Sequence, residues 1–270
     1  MKNTDNRKKI KEITAYCLGL LLMGMLIQAA SRMKGDALVF PGVPRILSAF
    51  FRLISTEKTW LQIGVTLGHL VQTLAVSTAA GILLGLLQGL NGFVYRMLRP
   101  LTAFLRAIPM IVLTVIIMVM TSYGRVPVTA GSLILIPMIA EAACEGCRRI
   151  EPELIDVYRL NSGLNFRVLL QVYLPLMGGY LKQAWFNAAG MGIRVVITTE
   201  YLVQTRDSLG KAVFTSGYFF EYDEIYAYAL IMILMVLLLS EAPKWLLKAG
   251  KLADVSRKAA GTIQKSKNSI

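Results

Sequence analysis

The feature that most constrains this chain is a series of apolar runs separated by short segments rich in Lys and Arg. The runs cover residues 13–30, 61–88, 100–121, 128–147, 183–204 and 225–242. Each is close to the ~20 residues that an α-helix needs to cross the hydrocarbon core of a bilayer. In lipid every backbone N–H and C=O must find its partner inside the protein, and a helix does this within one segment. The expected fold is therefore all-α: a polytopic membrane protein with about six transmembrane helices. Composition agrees, because 55% of residues are hydrophobic and 17% charged, against about 25% charged in soluble domains. Mean hydropathy is +0.57.

A net charge of +13 in 270 residues raises the question of nucleic acid. The location of the charges answers it, since they occupy the ends and the connections between apolar runs. Lys2, Arg7, Lys8, Lys9 and Lys11 precede the first run, Arg96 and Arg99 a short loop before the third, and seven basic residues lie beyond residue 243. Together with Arg148, Arg149, Arg159, Arg167 and Lys182 they form the larger share of the 29 basic residues. That bias puts both termini and residues 149–182 in the cytosol. The opposite side receives residues 31–60, with a short amphipathic helix expected over 45–54, a turn at 122–127 and a polar, aromatic loop at 205–222. The basic tail followed by an apolar run also fits a secretory signal, but without a small-residue cleavage pattern it reads as an uncleaved first span.

Gly81, Gly85 and Gly89 recur every fourth residue, as do Gly64 and Gly68. Small residues at that spacing let helix backbones approach closely in lipid. Cys17, Cys144 and Cys147 make no disulfide framework. A lone CxxC in an apolar run, far from the single histidine His69, is better suited to helix packing than to a metal. No metal or other cofactor is expected, and His69 reads as a buried hydrogen-bonded residue.

The longest polar interruption is residues 149–175. Pro152 suits a first helical position, Glu153 and Asp156 favour the positive helix end, and Gly163 terminates it. The result is a helix of about three turns, ~16 Å long, too short to span a bilayer. Leu154, Ile155 and Tyr158 share one face of it, with Asp156, Arg159 and Asn161 turned elsewhere. A small apolar stripe on such a helix calls for a partner surface.

Asp156-Val157-Tyr158, Ser162, Val172 and Leu174-Pro175 stand at the spacing of the cytoplasmic motif of ABC importer permeases. That motif is an acidic residue with two alanines, a glycine, and then an aliphatic residue shortly before Leu-Pro. Here Asp, Val, Tyr and Ser replace the usual residues, whereas the literal Glu141-Ala142-Ala143 lacks Leu-Pro at the required distance. The resemblance runs from about Trp60 to Leu247 through Thr66-Leu67, the Gly81 ladder, Pro100, Arg106, Pro109, Gly124 and Pro137. It continues through Gly146, Pro152-Glu153, Trp185, Glu200 and Leu209-Gly210, and looks most like the branch importing sulfonates, taurine, nitrate and thiamine precursors.

What this resemblance implies is a single permease domain over residues 1–270 with the type I ABC importer permease fold. Residues 1–12 would be a cytoplasmic tail, 60–247 the permease core, 149–182 the coupling loop and 248–270 a second tail. The implied setting is a bacterial inner membrane with surrounding lipid. The implied partners are cytosolic ABC ATPases, an extracytoplasmic binding protein and a second, identical permease. The ATPase-coupling residues would be Glu153 through Arg159, Ser162, Gly163, Leu174 and Pro175. No GxxxxGK[ST] loop is present, so ATP falls to another polypeptide and the chain is expected to be no enzyme.

Charges within spans are functional candidates, because in lipid they need a partner or a polar path. Arg106 with Pro109, Arg194 and Glu200 are the candidates for the translocation pathway. For Arg106 the alternative is snorkelling to an interface, and for Glu200 contacts near the outer end. Two other transporter classes compete. The transmembrane coupling subunit of an energy-coupling vitamin importer would show two long cytosolic helices, and a secondary transporter would show inverted repeats.

Overall fold

A computed structural model describes residues 39–150 and 168–239, with isolated helical positions between residues 18 and 29. The first apolar run lies mostly outside the described residues, and both tails lie wholly outside them. Every described element is helical.

Helix α1 (Val43–Ile54) begins with Pro44 in its first turn, where a missing N–H is harmless. It buries Ile46, Ala49 and Leu53. Helix α2 (Glu57–Leu90) runs for 34 residues, and helix α5 (Val126–Arg148) lies beside it, pointing the same way. The contact is set by glycine. A Cβ on Gly81 would sit 2.7 Å from Ile139 Cβ, and one on Gly89 2.6 Å from Cys147 Cβ. One on Gly85 would overlap the Ala140 carbonyl and Ala143. Gly131 of α5 answers with the same device against Thr73. Gly64 and Gly68 face open space, so among the described residues of one chain only the second half of the glycine series packs against another helix.

Helix α6 (Gly178–Val203) runs antiparallel to both. Gly192 lies against Leu135 and Leu70, and Gly146 of α5 against Met177 and Tyr180. The main core, with Leu70, Leu74, Leu135, Ile139, Ile193 and Val196, fills the space among the three. A second cluster joins Ala143, Cys147 and Ile150 at the end of α5 to Val172, Tyr173 and Met177 just before α6.

Three expectations need correction. The third apolar run is not one straight span but two helices, α3 (Gly92–Ala107) and α4 (Met110–Met120), bent by 102°. The cause is Pro109, whose ring keeps the preceding residue out of helical conformation; Ile108 has φ −66° and ψ 127°. Arg96 and Arg99 lie in α3 rather than in a loop. Asn91 caps that helix, its Oδ1 accepting from Phe93 N at 2.9 Å and Val94 N at 3.4 Å. The polar stretch 205–222 contains helix α7 (Leu209–Tyr218), capped by Ser208 Oγ, which accepts from Lys211 N at 3.2 Å. The chain then enters helix α8 (Tyr222–Leu239).

Among the described residues, α2, the stretch Tyr123–Arg148 that holds α5, and α8 are long and apolar enough to cross a membrane; α3 and α4 add a fourth only if the bent pair is taken as one span. Helix α6, 26 residues long, spans ~39 Å at 1.5 Å per residue. It is more polar because it carries Lys182, Arg194 and Glu200.

Candidate functional site

Two polar regions lie at opposite ends of the bundle. The first centres on Glu200, three residues before the end of α6. Its side chain is fully buried. Glu200 Oε2 accepts from Thr66 Oγ1 at 2.8 Å and from Gly210 N at 3.3 Å. Its Oε1 lies 2.7 Å from His69 Nδ1. Thr66 Oγ1 in turn accepts from Leu209 N at 3.1 Å.

A carboxylate is suited to this place because the first amides of α7 have no partner within their own helix and carry a partial positive charge. Gly210 is required for the approach, since a Cβ there would overlap the Tyr201 backbone nitrogen. Thr66 and His69 lie three residues apart on α2 and so share the face that meets α6. The node ties three helices together through one acidic side chain. His69 is hydrogen-bonded, as the sequence suggests, but only partly buried, its side chain being 14% exposed. Glu200 faces these partners and not an open surface.

The second region is at the other end of the bundle, towards residue 149. Arg106, in the last turn of α3, pairs with Glu141 of α5, and its Nη2 donates to Pro137 O at 3.4 Å. Pro109 opens α4 at the bend. Glu141-Ala142-Ala143 lies within α5. Nearby, the Arg148 guanidinium sits 3.9 Å above the Tyr95 ring.

Arg194 belongs to neither region. It is exposed on α6, while its neighbours Ile193, Val195 and Val196 point into the core. Thus the four candidate pathway residues do not converge within one chain.

Of the residues expected to meet an ATPase, Glu153, Leu154, Ile155, Asp156, Val157, Tyr158, Arg159, Ser162 and Gly163 lie outside the described residues. Leu174 and exposed Pro175 begin a short helical turn, Leu174–Leu176, which follows a π-helical turn, Leu169–Tyr173. The sequence reading missed Glu141 as the partner of Arg106 and the α7 amides as partners of Glu200. Ser208 before Leu209-Gly210 was the available signal for the latter, being a cap residue ahead of a helix start.

Residues 78–249 match the family of the binding-protein-dependent transport system inner membrane component, and the chain belongs to that family. It is an ABC importer permease subunit, a multi-pass protein of the inner membrane, and a transporter component in place of a catalyst. Over 240 residues it is 22% identical to a probable ABC transporter permease protein of Haemophilus influenzae, covering 84% of this chain and 94% of the relative. Its fold resembles a chain of the inward-facing MetNI methionine ABC transporter. That likeness has a TM-score of 0.58 at 20% identity and covers 72% of this chain and 98% of the other.

Proposed function

We propose that this permease pairs with a second copy of itself to enclose a pathway for a small polar or anionic solute of the sulfonate, taurine, nitrate or thiamine-precursor kind. A binding protein delivers the solute from outside, and cytosolic ABC ATPases drive transport through the loop at residues 149–182. Both termini lie in the cytosol.

The observation that carries this reading is the hydrophobic cluster at the two ends of that loop. Ile150, Val172, Tyr173 and Met177 pack with Ala143 and Cys147, so the last turn of α5 and the approach to α6 form one unit. Force applied to a helix at Glu153–Arg159 therefore reaches both helices at once. It then reaches α2 through the contacts of Gly85 and Gly89 with α5. Interiors packed this closely move as rigid bodies between discrete arrangements.

In this scheme Leu154, Ile155 and Tyr158 fill the ATPase cleft, with Asp156, Val157, Ser162 and Gly163 shaping the helix and Leu174-Pro175 its return. The cleft is shaped for side chains bulkier than alanine. Arg194 supplies a positive charge to the pathway, consistent with its exposure on α6, because an outward charge in a spanning helix needs a polar surface or a partner. Arg106 with Pro109 marks the pathway end at the bend, and Glu200 anchors the pathway helix from within.

Two substitutions separate these assignments. Asp156→Arg or Tyr158→Asp should abolish co-purification of the ATPase while leaving the permease folded in the membrane. A stable complex in detergent would sink the coupling role. Arg194→Gln should reduce uptake of the cognate solute at normal expression, and unchanged uptake would sink the pathway role.

A further inference from the structure

Between residues 183 and 201, every exposed position of α6 except Trp185 lies on one side of the helix. These positions are Gln183, Asn187, Met191, Arg194, Thr198 and Tyr201. Their spacing of three or four residues is that of a single helix face. The face extends ~27 Å at 1.5 Å per residue, close to the ~30 Å hydrocarbon core of a bilayer. Met191 is its one fully apolar member.

On other spanning helices the exposed faces have the opposite character. The exposed side chains of α4 and α8 are all apolar, among them Val115, Val119, Leu234 and Leu238. Hydrocarbon suits those faces and does not suit that of α6. Among the described residues the ion pairs leave Arg194 out, and an unpaired charge within a span needs a polar path or a partner. The Gln183 amide donates along its own helix to Asn187 Oδ1 at 3.4 Å, a long and therefore weak contact. At the Gln183 end the face runs into a recess of about 230 Å³ between α5 and α6. There Gln183 and Asn187 meet Glu145, Tyr180 and Glu141, the partner of Arg106.

We propose that this face of α6 is wetted along its whole length in the assembled transporter and forms one wall of the solute path, with Arg194 as the charge that favours anions and Asn187 and Thr198 as uncharged polar groups within two turns on either side. This rests on the pathway role given to Arg194 above and adds the rest of the wall. A second copy pressed onto the face is the competing occupant. A twofold contact sets the same patch on both subunits, so it would bring one unpaired cation towards another on a face that carries no carboxylate. Water and a passing anion meet no such conflict.

Single cysteines read the wetting. In the full-length chain with Cys17→Ala, Cys144→Ala and Cys147→Ala, the reporters are Asn187→Cys and Thr198→Cys, and the lipid-facing controls are Val119→Cys and Leu238→Cys. All four positions are exposed, so the core is undisturbed. Membranes opened to both faces, with the partner subunits present, are treated with two water-soluble methanethiosulfonates, one carrying a sulfonate and one a trimethylammonium. Each rate is normalised to that of the same reagent with a small thiol in solution. The reporters should react ~tenfold or more faster than the controls, because a thiol held in hydrocarbon stays protonated and each unit of raised pKa lowers the thiolate tenfold.

At low ionic strength the sulfonate-to-ammonium ratio at Thr198→Cys should fall ~tenfold when Arg194→Gln is added. A unit charge one turn away, at ~6 Å in water, alters each rate ~threefold and in opposite directions. Reporters as slow as the controls overturn the proposal, and a disulfide-linked dimer of Thr198→Cys in the same membranes would then make the face a subunit contact. Fast labelling with a ratio indifferent to Arg194→Gln overturns it as well, because the wall would be wet without favouring anions. Uptake by Arg194→Gln and co-purification of the ATPase are read on the same membranes, which distinguishes loss of the pathway or coupling role from loss of the wetted wall.

Discussion

Helix α2 is held at its two ends by opposite means. Towards Leu90 it touches α5 through glycines, where nothing polar is exchanged and the backbones nearly meet. Towards Glu57 it is held by Thr66 and His69, which share the buried carboxylate of Glu200. The first contact depends on the absence of atoms and the second on the presence of one charge. Shape contacts fail when a side chain grows, whereas a buried charge fails when its partners shrink.

The largest effect is expected at the polar end. Glu200→Leu removes the acceptor for Thr66, His69 and Gly210 together and should destabilise the fold by ~3 kcal/mol or more, since each buried donor left without a partner costs ~1–3 kcal/mol. Thermal unfolding in detergent would read this directly, and a loss near ~0.6 kcal/mol, the average of a single hydrogen bond in a membrane protein, would mean that the node carries little. Next comes Gly85→Val, whose branches have no room against Ala140 and Ala143 and which should lose ~1–3 kcal/mol. Gly68→Ala, facing open space, should stay within ~0.5 kcal/mol of the parent. Equal losses in Gly85→Val and Gly68→Ala would break the contrast, because spacing and not contact would then be setting stability.

His69→Leu keeps the packing but removes one partner of Glu200, so it should fall between these, near ~1.5 kcal/mol. The smallest effect concerns Glu221, before α8 and outside the spans. Loss of hydration, then the neighbouring Glu224 and Asp223, raise its pKa against the lowering effect of Arg52. The folded protein thus holds this proton more tightly than the unfolded chain. Its contribution is present below the ordinary carboxylate range and is lost as pH rises through the raised value. Glu221→Gln should flatten that part of a plot of unfolding temperature against pH; an unchanged slope would exclude Glu221 as its source.

The same contrast explains what could be read from the sequence. The helices α2, α5 and α8 were legible because bilayer thickness imposes a length on apolar runs. The turn at 122–127 and the helix near 45–54 followed from local signals at Pro44 and Pro127. Hydropathy carries no direction, however, so residues 100–121 gave no sign that the chain turns by 102° at Ile108 and Pro109. Helix α7 was hidden because its ten residues, LGKAVFTSGY, mix polar and apolar types. Gly64 and Gly81 look alike in sequence, and only the placement of α5 distinguishes them. Likewise Glu200 was visible as a charge in a span, but its partners on α2 and α7 are more than a hundred residues away in one case and in an unrecognised helix in the other.

The 34 residues of α2 amount to ~51 Å of helix, against a hydrocarbon core of ~30 Å. Such an excess is relieved by leaning in the bilayer or by standing out of it. Leaning cannot be private to α2, because Gly81, Gly85 and Gly89 seat it on α5 and Glu200 joins it to α6. All three helices would have to rock together. Standing proud instead would lift Lys58 and Gln62 into water, where they already rim a recess of about 450 Å³ with Lys211, Glu221 and Glu224. A change in membrane thickness would therefore be felt by the whole bundle as a change of inclination, or by that recess as a change of depth.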